Sequence, residues 1–115
     1  MTHVEIRFTI DDEAGADAIV RALLAERLVA CGQRMGPILS RYWWSGSVEQ
    51  SEEWLVVLKT RSELTDRVVD TIVEHHPYET PEVVAVSIVA GYAGYLDWID
   101  DVTGEIGDGP GGAAT

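Results

Sequence analysis

Between Ala30 and Thr60 the chain carries two long β-rich stretches that meet at Ser45-Gly46-Ser47, and this hairpin constrains the fold more than any other feature. The first stretch, Ala30 to Trp44, is interrupted by Gly32, Gly36 and Pro37, which inside a strand pattern mark a bulge or bend. Ser45-Gly46-Ser47 supplies the positive φ of a tight reversal, and Val48 to Thr60 returns as the second strand. Its Trp54 to Leu58 run is continuously apolar, as in a strand buried on both faces.

The remaining segments have to build a sheet around that ribbon. Val4, Ile6, Phe8 and Ile10 alternate with His3, Glu5, Arg7 and Thr9, which makes residues 3–10 a strand with one buried face. Asp11 and Asp12 then offer N-cap oxygens to a helix whose apolar stripe is Ala16, Ile19, Val20, Leu23 and Leu24. Thr60 and Glu63 have the spacing of a capping box for a second helix, with Leu64, Val68, Val69, Ile72 and Val73 on its apolar face. Pro77 ends that helix. Glu82 to Val89 reads as a short buried strand, and Tyr95 to Val102 as a last short helix. The order β-α-β-β-α-β predicts an α+β fold, a ferredoxin-like sandwich with a long β2–β3 hairpin and two helices on one face of an antiparallel sheet. Residues 1–103 form the single domain, and the Gly-rich residues 104–115 a disordered tail.

Composition narrows the partners. Eight Lys and Arg against 20 Asp and Glu leave the 115-residue chain at −12, which opposes binding to nucleic acid or to an anionic membrane surface. The N-terminus lacks the pattern of a signal peptide and no 18 apolar residues run together, so a cytoplasmic protein is expected. The single cysteine, Cys31, allows no disulfide within the chain and fits a reducing compartment.

Trp43 and Trp44 are adjacent in a strand and point to opposite faces, so a sheet covered on one side leaves one of them uncovered. Together with Tyr42 and Trp54 they give the hairpin an aromatic surface, which predicts a homo-oligomer.

The densest chemistry lies in His75-His76-Pro77-Tyr78-Glu79-Thr80-Pro81-Glu82. Imidazoles suit copper and zinc, and carboxylates can complete a coordination sphere. Adjacent histidines on a helix diverge by about 100°, so both reach one ion only if the backbone leaves the helix between them or another subunit contributes. The alternative is a pair of helix-end histidines that interact with the dipole and the last carbonyls. Cys31 is either a soft ligand or a small buried hydrophobe. Asp97, Asp100 and Asp101, and likewise Glu49, Glu52 and Glu53, read as solvated surface. No Gly-rich phosphate loop, nucleophile elbow, C-x-x-C or H-E-x-x-H occurs, so the chain is expected to bind rather than catalyse.

The sequence resembles the CutA divalent-cation tolerance proteins. The resemblance runs from residue 4 to residue 103 and is carried by Leu28-Val-Ala-Cys31, Ser40-Arg-Tyr42-Trp-Trp44-Ser-Gly46 and Glu53-Trp-Leu-Val-Val-Leu-Lys59-Thr60. It continues through His76-Pro-Tyr-Glu-Thr-Pro-Glu82, Gly91 and Tyr95-Leu-Asp-Trp98. It implies a protomer similar to the PII signalling proteins, packed as a homotrimer through its hairpins, which binds copper or another divalent metal ion. The copper site it implies uses His75 and His76 plus a first-strand cysteine, and that last position is Phe8 here. The PII likeness implies an alternative, a small molecule or partner bound in clefts between protomers, with Tyr78, Glu79, Lys59 and Trp98 as lining residues.

Overall fold

A computed structural model describes residues 2–104. The expected tail lies, apart from Gly104, outside the described residues. Four strands, β1 (His3–Ile10), β2 (Cys31–Trp44), β3 (Ser47–Arg61) and β4 (Val83–Ile88), alternate with helices α1 (Glu13–Ala25) and α2 (Thr65–His75), and α3 (Ala93–Val102) closes the order. The strands form one antiparallel sheet in the order β2-β3-β1-β4, as the ferredoxin-like reading requires.

The alternation in β1 decides which side the helices cover. Val4, Ile6, Phe8 and Ile10 are buried with Val56 and Leu58 of β3, Ala16, Ile19 and Leu23 of α1, and Val68 and Ile72 of α2. Asp12 caps α1, its carboxylate accepting the Gly15 amide at 3.1 Å. The capping box expected at Thr60 and Glu63 does not form. Strand β3 runs on to Arg61, a 3-10 turn at Ser62–Leu64 follows, and α2 starts only at Thr65. Thr60 is buried, and its hydroxyl donates to the Leu28 carbonyl at 2.6 Å instead. A long-range bond to an otherwise orphaned carbonyl has displaced the local one.

The hairpin is as long as its sequence implies. Its two-residue loop, Ser45-Gly46, has φ of 50° and 84°, the paired positive angles that match the twist of a two-stranded ribbon. Register shifts between Met35 and Ile38, where Gly36 adopts φ 140° and a Cβ would crowd the Glu53 carbonyl at 3.0 Å and the Trp54 ring at 3.2 Å. Replacing Ser45 by Asn, which tolerates positive φ better, is expected to raise the unfolding free energy by about 0.5 kcal/mol in urea titrations.

Two expectations about burial need correction. Strand β4 is an edge, and Val84 and Val86 are exposed on the sheet face away from α1 and α2, so it is not a buried strand. That second face is also not simply open, because α3 lies across one end of it. Three outward-pointing side chains meet the helix there. His3 Nε2 is 2.9 Å from Asp100 Oδ1, Arg61 Nε donates to Thr103 Oγ1 at 3.0 Å, and Cys31 Sγ is 3.5 Å from Tyr95 Oη. Asp100 is therefore buried rather than solvated, and only Asp97 of the three α3 acids is fully exposed. The sheet has one full core and one half-covered face, and the uncovered half continues into the hairpin.

Candidate functional site

His75 and His76 end α2 in different roles. His75 is the last helical residue and exposed, and its Nδ1–H donates to the Thr71 carbonyl one turn back at 2.9 Å. At His76 the backbone has left the helix, with φ −86° and ψ 136°, and the ring turns inward until the residue is 8% exposed. Its Nε2–H donates to the Thr9 carbonyl at 2.7 Å, and its Nδ1 accepts the Tyr78 amide at 3.2 Å. Phe8 and Tyr78 meet the ring edge to face at 6.2 and 4.6 Å. A neutral imidazole has one donor and one acceptor nitrogen, and here both are engaged.

This loop forms one wall of a cavity of about 680 Å³, bounded on the other sides by the hairpin and the end of β1. Tyr78 and Glu79 line it, as do Asp11, Glu82 and the hairpin residues Tyr42, Trp43 and Trp44. Its most confined acid is Glu53, at 5% exposure, whose Oε2 accepts the Tyr78 hydroxyl at 2.9 Å. Burial first, and then the Glu53 carboxylate beside it, push the Tyr78 phenol well above its ordinary range. Glu49 and Glu52 are exposed as expected, but Glu53 is not surface. The available signal was period two, which places it on the same face as Leu55 and Val57.

The other expected cleft residues lie elsewhere. Lys59 is on the half-covered face, its Nζ donating to Gln33 Oε1 at 3.1 Å and 4.0 Å from Glu5 Oε1. Trp98 stacks on Tyr95 at 5.6 Å and lines a second cavity with Leu24, Arg27 and Val29. Cys31 pairs with Lys59, which pairs with Glu5, whereas His76 sits on Thr9. Four residues of strand, about 13 Å, separate those levels, so cysteine and histidines do not form one ligand set within a chain. Burial, followed by the contact with Cys31, pushes the Tyr95 phenol up to about 12. Among the described residues, no three His, Cys, Asp or Glu side chains gather as a metal-binding group.

The family model described as CutA1 divalent ion tolerance protein matches residues 4–102. The chain belongs to that family. The divalent-cation tolerance protein CutA of Salmonella newport is 35% identical over 97 residues, 84% of each chain. Among solved structures, CutA1 from Oryza sativa superposes with a TM-score of 0.88 at 30% identity, covering 91% of this chain and 96% of that one. The divalent cation tolerance protein of Thermus thermophilus gives 0.86 at 34%, covering 89% and 99%. A structure named as the periplasmic divalent cation tolerance protein CutA from Archaeoglobus fulgidus gives 0.84 at 37%, covering 87% and 97%. No helix among the described residues is long and apolar enough to cross a membrane.

Proposed function

We propose that the chain acts in divalent-cation tolerance as a cytoplasmic homotrimer that binds copper and other divalent metal ions, and that it is a binding protein rather than an enzyme. The observation that carries the assembly is the hairpin. Trp43 is 75% exposed, with Leu39 and Val48 exposed on the same face of the ribbon, while Trp44, Val84 and Val86 are exposed on the other face of the sheet. An apolar surface of that extent, ending in an unpaired ribbon, fits association between copies. The family's Archaeoglobus member is named as periplasmic. For this chain the cytoplasm is supported by its one thiol, Cys31, which has no second cysteine in the chain to pair with.

The donor set fits a metal in part. His75 has the arrangement of a ligating histidine, with Nδ1–H fixed by a carbonyl and the Nε2 lone pair left for an ion. His76 does not fit, because a metal at either nitrogen would have to displace the Thr9 or the Tyr78 bond. Phe8, in place of a thiolate, is fully buried in the core. One imidazole per protomer, completed by donors from a neighbouring copy, is the arrangement these residues support.

Two measurements test the reading. Size exclusion with light scattering is expected to give three times the 12.6 kDa chain mass, and a monomer overturns the trimer. Calorimetric titration of Cu(II) in about 0.15 M NaCl, which screens the diffuse attraction of a −12 chain, is expected to show binding that His75→Ala removes and His76→Gln retains. Equal binding by wild type and His75→Ala takes His75 out of the site. A second reading, a PII-like module for a small molecule, is supported by the cavity that Tyr78 and Glu79 share.

A further inference from the structure

Helix α1 ends in a Schellman turn, in which the Leu28 amide donates to the Leu23 carbonyl and the Arg27 amide to the Leu24 carbonyl, each at 3.0 Å. The turn holds the residue after Glu26 in the left-handed region, and that residue is Arg27, at φ 56°. Glycine is the usual occupant of such a position, because a Cβ is strained there. An arginine kept in it points to a use for the side chain. Part of that use is structural. Its Nη1 donates to the Val102 carbonyl at 3.1 Å, and its own carbonyl accepts the Gly104 amide at 2.8 Å, which ties the end of α1 to the end of α3. The guanidinium keeps further N–H donors, and among the described residues it makes no other hydrogen bond and no ion pair.

Arg27 also lines the second cavity, of about 490 Å³, which lies between the end of α1, α3 and the chain leading into β2. The rest of the lining is apolar: Leu24, Val29, Val102 and the Trp98 ring are joined only by alanines. In a chain that carries −12, this lining holds one positive charge and no acid, the reverse of the cavity around Glu53. Trp98 is half-buried and stacks on Tyr95 at 5.6 Å. Val29 and Ala30 precede β2, so the cavity sits at the opposite end of that strand from the Ser45-Gly46 loop. None of its lining residues belongs to the hairpin surface assigned to the contact between copies.

A guanidinium beside apolar walls and an aromatic ring is complementary to a carboxylate carried on an apolar body. The fork of the guanidinium holds the carboxylate oxygens, and the ring and aliphatic side chains take the body out of water. The volume is within the usual range for a small-molecule site. We propose that this cavity binds a small aryl or alkyl carboxylate, with Arg27 as its counter-charge and Trp98, Leu24 and Val102 as its walls. The site is complete within one chain and needs neither the hairpin contact nor His75.

Phenylacetate is the probe, titrated calorimetrically into the full chain at about 0.15 M NaCl, with its neutral amide, phenylacetamide, as the comparison. Saturable binding of one phenylacetate per chain, at least about tenfold tighter than phenylacetamide, is the expected result. Arg27→Gly suits the left-handed backbone and removes the guanidinium. It should keep the wild-type far-UV circular dichroism and weaken phenylacetate binding at least about tenfold, the usual effect of losing a charge-assisted hydrogen bond. Arg21→Gln removes the same charge from the exposed face of α1, outside the cavity, and should leave the affinity within about twofold. Should Arg27→Gly fail to fold, Leu24→Glu, at an exposed position of the lining, places a like charge beside the carboxylate and is expected to weaken binding at least about fivefold. A Trp43→Asp/Trp44→Asp chain should bind as the wild type does. Absence of saturable phenylacetate binding, equal binding of phenylacetamide, unchanged affinity in Arg27→Gly or Leu24→Glu, or equal weakening by Arg21→Gln overturns the proposal. So does loss of binding in the Trp43→Asp/Trp44→Asp chain, since the site would then lie between copies.

Discussion

A Trp43→Asp/Trp44→Asp variant is expected to run as a 12.6 kDa monomer in size exclusion with light scattering, where the proposed homotrimer of the wild type would run at three times that mass. The two rings stand on opposite faces of a ribbon that projects from the domain and gives the protomer a longest extent of 51 Å. Exposed to 75% and 44%, Trp43 and Trp44 have roughly 190 and 110 Å² left to bury against another copy, worth about 5 and 3 kcal/mol at the usual coefficient. Three chains at −12 each repel one another, so the association must be driven by apolar surface. Adding two carboxylates per chain removes part of that surface and strengthens the repulsion. The protomer itself should survive, because both positions are exposed and outside the core cluster. An unchanged far-UV circular dichroism spectrum would confirm that. A variant with the wild-type mass would show that the hairpin tip is not in the interface. Added salt should shift the variant back towards the assembly, which a loss of packing alone would not do.

What the sequence made legible was the part of the fold written in local periodicity. Alternation in residues 3–10 gave β1 and its buried face, the Asp12 cap placed α1, and Ser45-Gly46 gave the reversal of the hairpin. Contacts between distant residues left no such trace. His3 meets Asp100 across 97 positions, and nothing around either residue announces that α3 will cover the second face of the sheet. The same holds for Thr60, whose hydroxyl has two acceptable partners by sequence and takes the Leu28 carbonyl in the fold. At the site, the loop was legible as a cluster of chemistry between two prolines, and Tyr78 and Glu79 do share a cavity. Glu53 was missed because it belongs to a run of acids whose other members, Glu49 and Glu52, are exposed. Its burial comes from Tyr78, 25 residues away in sequence. Lys59 and Trp98, expected to line the same cleft, are placed outside that cavity by the register of β3 and the position of α3.

The sharpest separation between neighbours in this chain is expected at the two histidines. His76→Ala should cost about 4 kcal/mol of unfolding free energy at fixed protein concentration, and His75→Ala less than about 1 kcal/mol. Removing the His76 ring leaves the Thr9 carbonyl and the Tyr78 amide without their partner in a buried setting, each worth about 1–3 kcal/mol, and opens a void beside the fully buried Phe8. His75, exposed on the last turn, loses one bond to a helical carbonyl that water can replace. His76→Gln should recover part of the loss, since its Nε2–H can take the place of the ring Nε2–H on the Thr9 carbonyl, while its Oε1 does not occupy the ring Nδ1 position that accepts the Tyr78 amide. Amide hydrogen exchange localises the effect. The Tyr78 N–H should exchange faster in His76→Ala and His76→Gln and remain protected in His75→Ala. Equal destabilisation by the two alanine variants would show that the inward ring does not tie the loop to β1. If the loop is tied as described, the His76 variants should also lose the wall that holds Tyr78 against Glu53, and the Tyr78 phenol should then titrate closer to its ordinary range. Ultraviolet absorbance of the phenolate reads that change directly. A His75→Ala chain, with its loop still anchored at Thr9, should titrate as the wild type does.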